Sequence, residues 1–445
     1  MTLGFDSSDA VLREGARWAV AKALSYAHDE GDPVGPWFEA ALPGREAFCM
    51  RDAAHMTTGA EALGLHRHLH NMFGKFAASV APERDWCPYW EIDRLDRPAP
   101  VDYRDDGDFW YNLPAAYDVI DACWRAYRWS GAAAILRDPT LAQFFDVCFG
   151  EFLEVWDQNG DGLPEGPRGP HYRGIPSYTE HAQGFEGTGF DVLTEMHAAC
   201  LALAALHRAK GQAAVASGWE TRAAALRADY EHRWWMPEEG WFHTAVDRDG
   251  RPIDPEVFWY ERFPEGMVPT GEMIDRSLPE PHNVEARTYL PEMLYRYGLV
   301  ERAFAELRAL ADPKLDRRDY PEVPFCLVGT LAEGALGVRP TAPLHGCETL
   351  SGLPDEESWL SCEGLAALGG WLDVRQEGRR RTVLTNRTGR PLLWRAGFRG
   401  LHARCLVAGR PTPASPQRVC DRYGSPATYV ECLVRDGETL DVAVA

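Results

Sequence analysis

The sequence lacks the motifs that mark several large enzyme classes. It has no G-x-G-x-x-G and no G-x-x-x-x-G-K-[ST], so no nucleotide-phosphate loop is predicted. It also has no G-x-S-x-G, which makes a serine hydrolase of the α/β type a poor candidate. No window approaches 18 apolar residues without a charge, and no basic region followed by an apolar run precedes the first helix. We therefore expect a protein with no membrane partner and a cytoplasmic location.

The cysteines and the charge exclude further classes. The 11 cysteines form no C-x-x-C pair and no Cys/His cluster with zinc spacing, which predicts reduced, mostly buried thiols. The formal net charge of −21 would repel phosphate backbones, so no nucleic-acid partner is expected.

Helical periodicity dominates the first three quarters of the chain, without the alternating strands of an α/β protein. About ten helices are predicted, with an eleventh suggested over residues 261–274. Long aromatic loops rich in Gly and Pro join them, a pattern typical of helical hairpins closing into a ring with the loops on one face. The predicted helices are Asp9 to Ala27, Asp52 to Leu63, His66 to Val80, Phe109 to Trp129, Leu141 to Trp156, Phe190 to Lys210, Ala213 to Trp235, Val284 to Tyr297, Leu299 to Leu310 and Val323 to Leu336.

The character of the sequence changes near Gly337. Short apolar and β-branched runs alternate from there with turn signals such as Asn386-Arg387-Thr388-Gly389. We predict a mainly α protein with a helical domain over 1–341 and a small antiparallel β domain over 342–445.

The segment Phe48-Cys49-Met50-Arg51-Asp52 precedes a predicted helix. Asp52 suits a helix cap, and an Arg–Asp pair at a helix mouth can also grip neighbouring sugar hydroxyls. With the following residues it resembles the W-x-R-D signature of glucoamylases and their six-hairpin relatives, which include trehalases, processing α-glucosidases and glycogen-debranching glucosidases. The resemblance implies an (α/α)6 toroid, a carbohydrate substrate, no cofactor, and binding of the terminal sugar by Arg51 and Asp52.

Glycosidic cleavage needs a carboxylic acid that protonates the leaving oxygen. The segment Glu186 to Glu195, E-G-T-G-F-D-V-L-T-E, resembles the trehalase motif E-S-G-W-D, in which Asp is the general acid. The resemblance implies that role for Asp191, although one extra residue separates Glu from Gly. The first Glu of the glucoamylase motif G-Y-D-L-W-E-E corresponds to Thr194 here, so Glu186 and Glu195 stay open as alternatives, as does a capping role for Asp191.

The relatives place the second carboxylate late in the helical domain. Glu322, in D-Y-P-E-V-P-F, is the candidate base, with an inverting mechanism expected from the glucoamylase-like relatives. A Glu in a first helical turn also suits the helix dipole. The rival positions are Glu285, Glu333, Glu348 and Glu357.

Aromatic and polar side chains in the loops suit sugar binding, although most rings in any protein pack in its core. The candidates are Trp37, Trp110, Tyr111, Tyr178 and Glu186, with His171, Tyr172 and His282 as further possibilities.

The loop D-Q-N-G-D-G-L-P-E contains Asp157, Asn159 and Asp161 at the spacing of the first half of a calcium loop. Position 12 of an EF-hand would be Arg168, which excludes a complete one, and turn-forming residues explain the loop equally well. Three other functions share the predicted fold: a sugar phosphorylase, a sugar epimerase or unsaturated-uronide hydrolase, and a carbohydrate-binding protein without catalysis.

Overall fold

The computed structural model describes residues 2–167, 173–180, 185–255, 257, 274–275, 278, 280–281, 283–417 and 426–445. The predicted helix over 261–274 lies almost entirely outside these residues. Within them, the helices are α1 (Ala10–Ser25), α2 (Met50–His55), α3 (Thr57–Ala62), α4 (His66–Ala78), α5 (Ala115–Ser130), α6 (Ala133–Arg137), α7 (Pro139–Phe149), α8 (Glu151–Trp156), α9 (Phe190–Ala209), α10 (Ala213–Arg233), α11 (Val284–Arg296), α12 (Val300–Ala311) and α13 (Glu322–Gly329), with a π-helical segment at Thr330–Ala335.

Short strands lie in the loops between these helices. They are β2 (Ala27–His28), β3 (Trp37–Phe38), β4 (Ala47–Cys49), β5 (Glu91–Asp93), β6 (Tyr103–Asp105), β7 (Asp108–Phe109), β8 (Tyr111–Asn112), β9 (Arg173–Ile175), β10 (Gly187–Gly189), β11 (Trp235–Met236), β12 (Trp241–Phe242), β13 (Ala245–Asp247) and β14 (Pro252–Ile253). β4 pairs with β5 and β8 with β9, so the aromatic loops are tied to one another by backbone hydrogen bonds.

The last quarter of the chain forms two larger sheets. Their strands are β15 (Arg339–Thr341), β16 (Gly346–Leu350), β17 (Trp359–Ala367), β18 (Gly370–Glu377), β19 (Arg381–Arg387), β20 (Leu392–Arg399), β21 (Arg404–Val407), β22 (Arg410–Pro413), β23 (Ser415–Gln417), β24 (Ala427–Val434) and β25 (Thr439–Val444). The seven-stranded sheet has the order β1-β17-β18-β19-β25-β21-β22, in which β1 (Gly4–Ser7) comes from the start of the chain. The five-stranded sheet has the order β15-β16-β20-β24-β23, and β16 and β20 run parallel where an antiparallel domain was predicted.

Helix α1 shows how local sequence sets an element's boundary. Asp9 caps it by accepting hydrogen bonds from the backbone N–H groups of Val11 and Leu12, at 2.8 and 3.1 Å. Most of its predicted apolar stripe is buried, including Leu12, Ala16 and Val20, whereas Leu24 is exposed.

Helix packing brings the segments with candidate site residues together. α2 packs on α5, while α3 and α11 pack on α13. Gly59 makes the close approach of α3 to α13 possible, because a Cβ there would lie 2.0 Å from the carbonyl oxygen of Phe325. The chain that follows Arg51 is therefore held against the helix that begins at Glu322.

Candidate active site

Arg51 and Asp52 lie in the first turn of α2, which begins earlier than predicted. The N-cap is Cys49, whose side chain makes no capping hydrogen bond. The prediction that Asp52 caps the helix is therefore wrong, because the β4–β5 pairing fixes the chain up to Cys49 and the helix starts at Met50. The Asp52 carboxylate is buried and lies 3.6 Å from Arg51 Nε.

Arg51 is the buried cation of this region. Its guanidinium forms an ion pair with Glu285 and lies 3.7 Å from a Glu180 oxygen. The aromatic rings of Trp90 and Tyr178 lie 5.9 and 5.6 Å from it, within the range of cation–π attraction. With Asp52, three carboxylates and two aromatic faces thus surround a cation that is only 6% exposed.

The Asp52 carboxyl is electrostatically linked to Glu322. Burial raises the pKa of Asp52 well above its usual range, and the negative charge of Glu322 raises it further, while Arg51 opposes both. Two carboxyls that share a site resist a second ionisation, so this pair favours one proton between them.

Glu322 is fully buried at the first residue of α13. Its Oε1 lies 3.0 Å from His55 Nδ1 and accepts a hydrogen bond from the Tyr289 hydroxyl at 3.2 Å. Among the rival positions, Glu285 contacts Arg51, whereas Glu333 pairs with Arg128, Glu348 pairs with Arg395 and Glu357 is exposed.

Asp191 lies in the first turn of α9, but Gly189 is the N-cap and the Asp191 carboxylate turns back towards the preceding loop. Its Oδ2 accepts hydrogen bonds from Ser177 Oγ at 2.8 Å and from the Tyr178 backbone N–H at 2.6 Å. Burial raises the pKa of Asp191 to about 6, although these donors favour the anion and lower it.

Tyr178 connects the two groups of carboxylates. Its backbone N–H donates to Asp191, its ring lies beside the Arg51 guanidinium, and its hydroxyl donates to Asp118 Oδ2 at 3.3 Å. Asp191 is thus linked to Arg51 through Tyr178, whereas Glu322 acts electrostatically on Asp52.

The other predicted residues have different surroundings. Trp37 is buried, stacks on His28 and donates from Nε1 to Asp32 at 2.9 Å. Tyr111 is fully buried against Trp90 and Phe152, so packing explains both rings.

Trp110 and Glu186 are both accessible to solvent, Trp110 only in part. Trp110 is half-buried and lines a small hollow together with Trp90, while its Nε1 donates to Asn112. Glu186 is exposed and forms an ion pair with Arg248 at 3.2 Å, whereas the alternative acid Glu195 is fully buried in α9. His171, Tyr172, His282 and Arg168 lie outside the described residues.

Two residues that contact Glu322, His55 and Tyr289, were not predicted from the sequence. His55 follows Arg51 by four residues and Tyr289 follows Glu285 by four, so each lies on the same helix face as a charged neighbour. This spacing of four residues is the sequence feature from which both could have been predicted.

The loop that carries Asp157, Asn159 and Asp161 is stabilised by hydrogen bonds from its own backbone and by an ion pair with an arginine. Asp157 accepts hydrogen bonds from the backbone N–H groups of Gly160, Asp161 and Gly162. Asp161 Oδ2 lies 2.6 Å from Arg233 Nη1. Oxygens of Asp157, Asp161 and Glu165 also lie within 4.8 Å of one another, which is close enough to share a cation.

We predict that removing divalent cations with EDTA does not change the free energy of unfolding, because the Arg233 guanidinium already supplies a positive charge at this loop. A bound cation at 100 times its dissociation constant would add about 2.7 kcal/mol to the free energy of unfolding. Denaturant unfolding with EDTA and with millimolar calcium measures the difference. A stabilisation of that size by calcium would show that the loop binds metal.

Part of the chain matches the model of a known protein family. Residues 167–270, which include Tyr178 and Asp191, match the family model of the mannosylglycerate hydrolase MGH1-like glycoside hydrolase domain. No curated protein matches the chain by sequence. The match confirms the predicted relationship to the six-hairpin glycosidases and to an enzyme class, the glycoside hydrolases.

Solved structures show a similar fold. An α-L-rhamnosidase from Dictyoglumus thermophilum aligns with 100% of this chain and 50% of its own at 11% identity and a TM-score of 0.61. A rhamnosidase of family GH78 from Bacillus sp. GL1 aligns with 87% of this chain and 41% of its own, at 13% identity and a TM-score of 0.55. A protein from the human microbiome assigned as a kojibiose phosphorylase aligns with 97% of this chain and 63% of its own, at 9% identity and a TM-score of 0.56. The chain spans about half the length of the rhamnosidases, and these identities establish similarity of fold alone.

No helix in the described parts of the chain has both the length and the apolar composition needed to cross a bilayer.

Proposed function

We propose that this protein hydrolyses a glycosidic bond by general acid–base catalysis, on the loop face of an (α/α)6 toroid. Asp191 protonates the leaving oxygen, and Glu322 activates water on the opposite face of the sugar. The observation that carries the proposal is the grouping of two buried carboxyls, Asp191 and Glu322, around the Arg51–Asp52 pair, one of them with its pKa raised to about 6.

Arg51 and Asp52 are proposed to hold the terminal sugar. A guanidinium beside a carboxyl offers donors and acceptors to neighbouring hydroxyls, and the rings of Trp90 and Tyr178 offer apolar faces. By the resemblance described above, the sugar is an α-linked glucosyl residue at the end of a small oligosaccharide or glucoside, and the reaction inverts the anomeric centre.

The charge around Arg51 favours hydrolysis over phosphorolysis. Within the described residues, Asp52, Glu180, Glu285 and Glu322 all act electrostatically on this position. Inorganic phosphate would have to enter against these negative charges, with Arg51 already paired with Glu285. Water carries no such penalty.

The test is a panel of glycosides assayed with and without phosphate. It includes nitrophenyl α-glucoside, kojibiose, α-rhamnosides and mannosylglycerate, the last two because of the proteins to which the chain is similar. We expect phosphate-independent release of glucose from an α-glucoside, with the β-anomer appearing first by proton NMR. Glucose 1-phosphate formed only with phosphate would identify a phosphorylase, and binding without turnover across the panel would identify a binding protein.

The pH dependence should follow Asp191, because a general acid must carry its proton. With the pKa of Asp191 raised to about 6, kcat/KM should fall about tenfold per pH unit above that pH, while the acid limb at lower pH should follow the base Glu322. Ser177→Ala removes a donor that favours the anion, so it should move this basic limb to higher pH. Ser130→Ala on α5, whose hydroxyl donates to Ala126, is the matched control. An unchanged rate between pH 6 and 8 would contradict the assignment of Asp191.

A further inference from the structure

Glu322, the base of the proposed function, has two polar contacts on one carboxylate oxygen. His55 Nδ1 lies 3.0 Å from Oε1, and the Tyr289 hydroxyl donates to the same atom at 3.2 Å. The three residues come from α13, α2 and α11, and all three side chains are buried. A buried carboxylate is stable only where donors replace its lost hydration; the Tyr289 hydroxyl is one such donor, and His55 Nδ1 is a second when it carries a proton.

The His55 ring is held in one orientation. The Tyr289 ring stacks on it with centroids 3.5 Å apart and an interplanar angle of 7°. The Cys326 sulfur lies 3.5 Å from both ring nitrogens, so it packs against the imidazole rather than bonding to one nitrogen. An imidazole fixed in this way directs Nδ1 at Glu322 with little loss of conformational entropy on binding substrate.

The two polar contacts of its Oε1 distinguish Glu322 from its carboxyl neighbour Asp52. Asp52 Oδ1 accepts no hydrogen bond within the described residues, and its nearest cationic atom, Arg51 Nε, is 3.6 Å away. Of two carboxyls that share one proton, the one with hydrogen-bond donors is the anion. The groups that act on this pair are Arg51, His55, Glu180, Glu285, Tyr289, Tyr320 and Cys326.

We propose that His55 is a positioning residue that donates a hydrogen bond from Nδ1 to Glu322 Oε1 and thereby holds Glu322 as an oriented carboxylate, with the shared proton on Asp52. The inference rests on the proposed function, in which Glu322 must accept a proton from water. It assigns the neutral Nδ1–H tautomer or the imidazolium to His55, since either can donate at this atom.

The test compares His55→Leu, which removes the donor, with His55→Asn, whose amide can place an N–H near the position of Nδ1. We expect His55→Leu to lower kcat about 10- to 100-fold, the effect of losing a hydrogen bond to a charged group. The acid limb of its kcat–pH profile should move up by about one pH unit, because the carboxylate loses a stabilising donor. His55→Asn should restore most of kcat and return the limb towards its original pH, with KM similar in both variants. Tyr289→Phe should move the limb in the same direction.

His68→Leu is the matched control, since His68 is buried on α4 beside Asp29, away from this cluster. A His55→Leu enzyme with an unchanged acid limb would overturn the proposal, as would equal losses in His55→Leu and His55→Asn. If His55→Leu fails to fold, His55→Asn and Tyr289→Phe provide the pH profiles.

A second readout does not depend on turnover. In ¹⁵N-histidine-labelled protein, we expect the Nδ1 signal of His55 to report a bonded N–H in the wild type and to lose that signature in Glu322→Ala, which removes the acceptor. An unchanged signal would overturn the His55–Glu322 pairing even if hydrolysis is observed. A wild-type protein that hydrolyses no glycoside but shows the pairing would instead refute the proposed function.

Discussion

Asp191→Asn should lower kcat on an oligosaccharide substrate by about 10³- to 10⁴-fold while changing KM little, because it removes the proton that the leaving oxygen must receive. The amide is isosteric with the carboxyl and can still accept hydrogen bonds from Ser177 and from the Tyr178 backbone. The fold of the site should therefore be retained, and the loss should come from the chemistry.

The leaving group provides a sharper measurement. A nitrophenolate departs without a proton, so nitrophenyl α-glucoside should be cleaved by Asp191→Asn at a rate much closer to that of the wild type. Its basic pH limb should also disappear, since the titrating acid is gone. Asp146→Asn, at an exposed position on α7, is the matched control. Equal losses on both kinds of substrate would show that Asp191 is not the general acid.

The position of Asp191 gives a steric reason for the glycine that stands two residues before it. Gly189 is the helix N-cap, and a Cβ on it would lie 2.6 Å from Asp191 Oδ1. The glycine of the G-F-D segment therefore lets the carboxylate turn back against the loop that holds Ser177. A sequence pattern that carries such a steric requirement is visible without a structure.

The helix boundaries show where sequence reasoning was weaker. Periodicity placed α1 and α9 to within two residues at each end. It predicted one helix from Asp52 to Leu63, whereas the structure has α2 and α3 separated at Met56, with neither Gly nor Pro at the break. It predicted that the helix ending at Trp129 begins at Phe109. In the structure, β7 and β8 lie between Asp108 and Asn112, and α5 starts after Pro114. Apolar residues in short paired strands give the same signal as a buried helix.

The β region depends on contacts that local sequence does not contain. β1 joins the seven-stranded sheet by pairing Gly4–Ser7 with Leu360–Glu363, more than 350 residues away. Hydrophobic alternation predicted strands after Gly337, but nothing in a four-residue strand identifies its partner.

The second carboxylate could be ranked but not chosen from sequence. Glu322 and Glu285 both lie in the first turn of a helix, where a carboxylate is favoured by the helix dipole. The structure separates them by their partners, because Glu285 pairs with Arg51 whereas Glu322 contacts His55 and Tyr289. Arg51 lies 234 residues from Glu285, and His55 lies 267 residues from Glu322, so tertiary packing alone reveals these two contacts.

Glu322→Gln should lower kcat by about 10³-fold or more on every substrate, activated or not, because water must be deprotonated whichever leaving group departs. The glutamine side chain fills the same volume, and its carbonyl oxygen can still accept from His55 and Tyr289. Asp52 would then lose the negative charge that raises its pKa, so the pKa of Asp52 should fall in this variant.

Glu285→Gln is the appropriate comparison. Like Glu322→Gln it neutralises a carboxylate, here the one paired with Arg51, but it leaves the contacts of Glu322 intact. We expect it to raise KM more than it lowers kcat, because it alters the residue proposed to hold the terminal sugar. If Glu285→Gln instead abolished turnover of nitrophenyl α-glucoside while Glu322→Gln retained it, the base would be Glu285. In that case the carboxylate that activates water for inversion would lie on α11 and would be paired with Arg51. The two variants measured on one activated substrate therefore decide which helix supplies the proton acceptor.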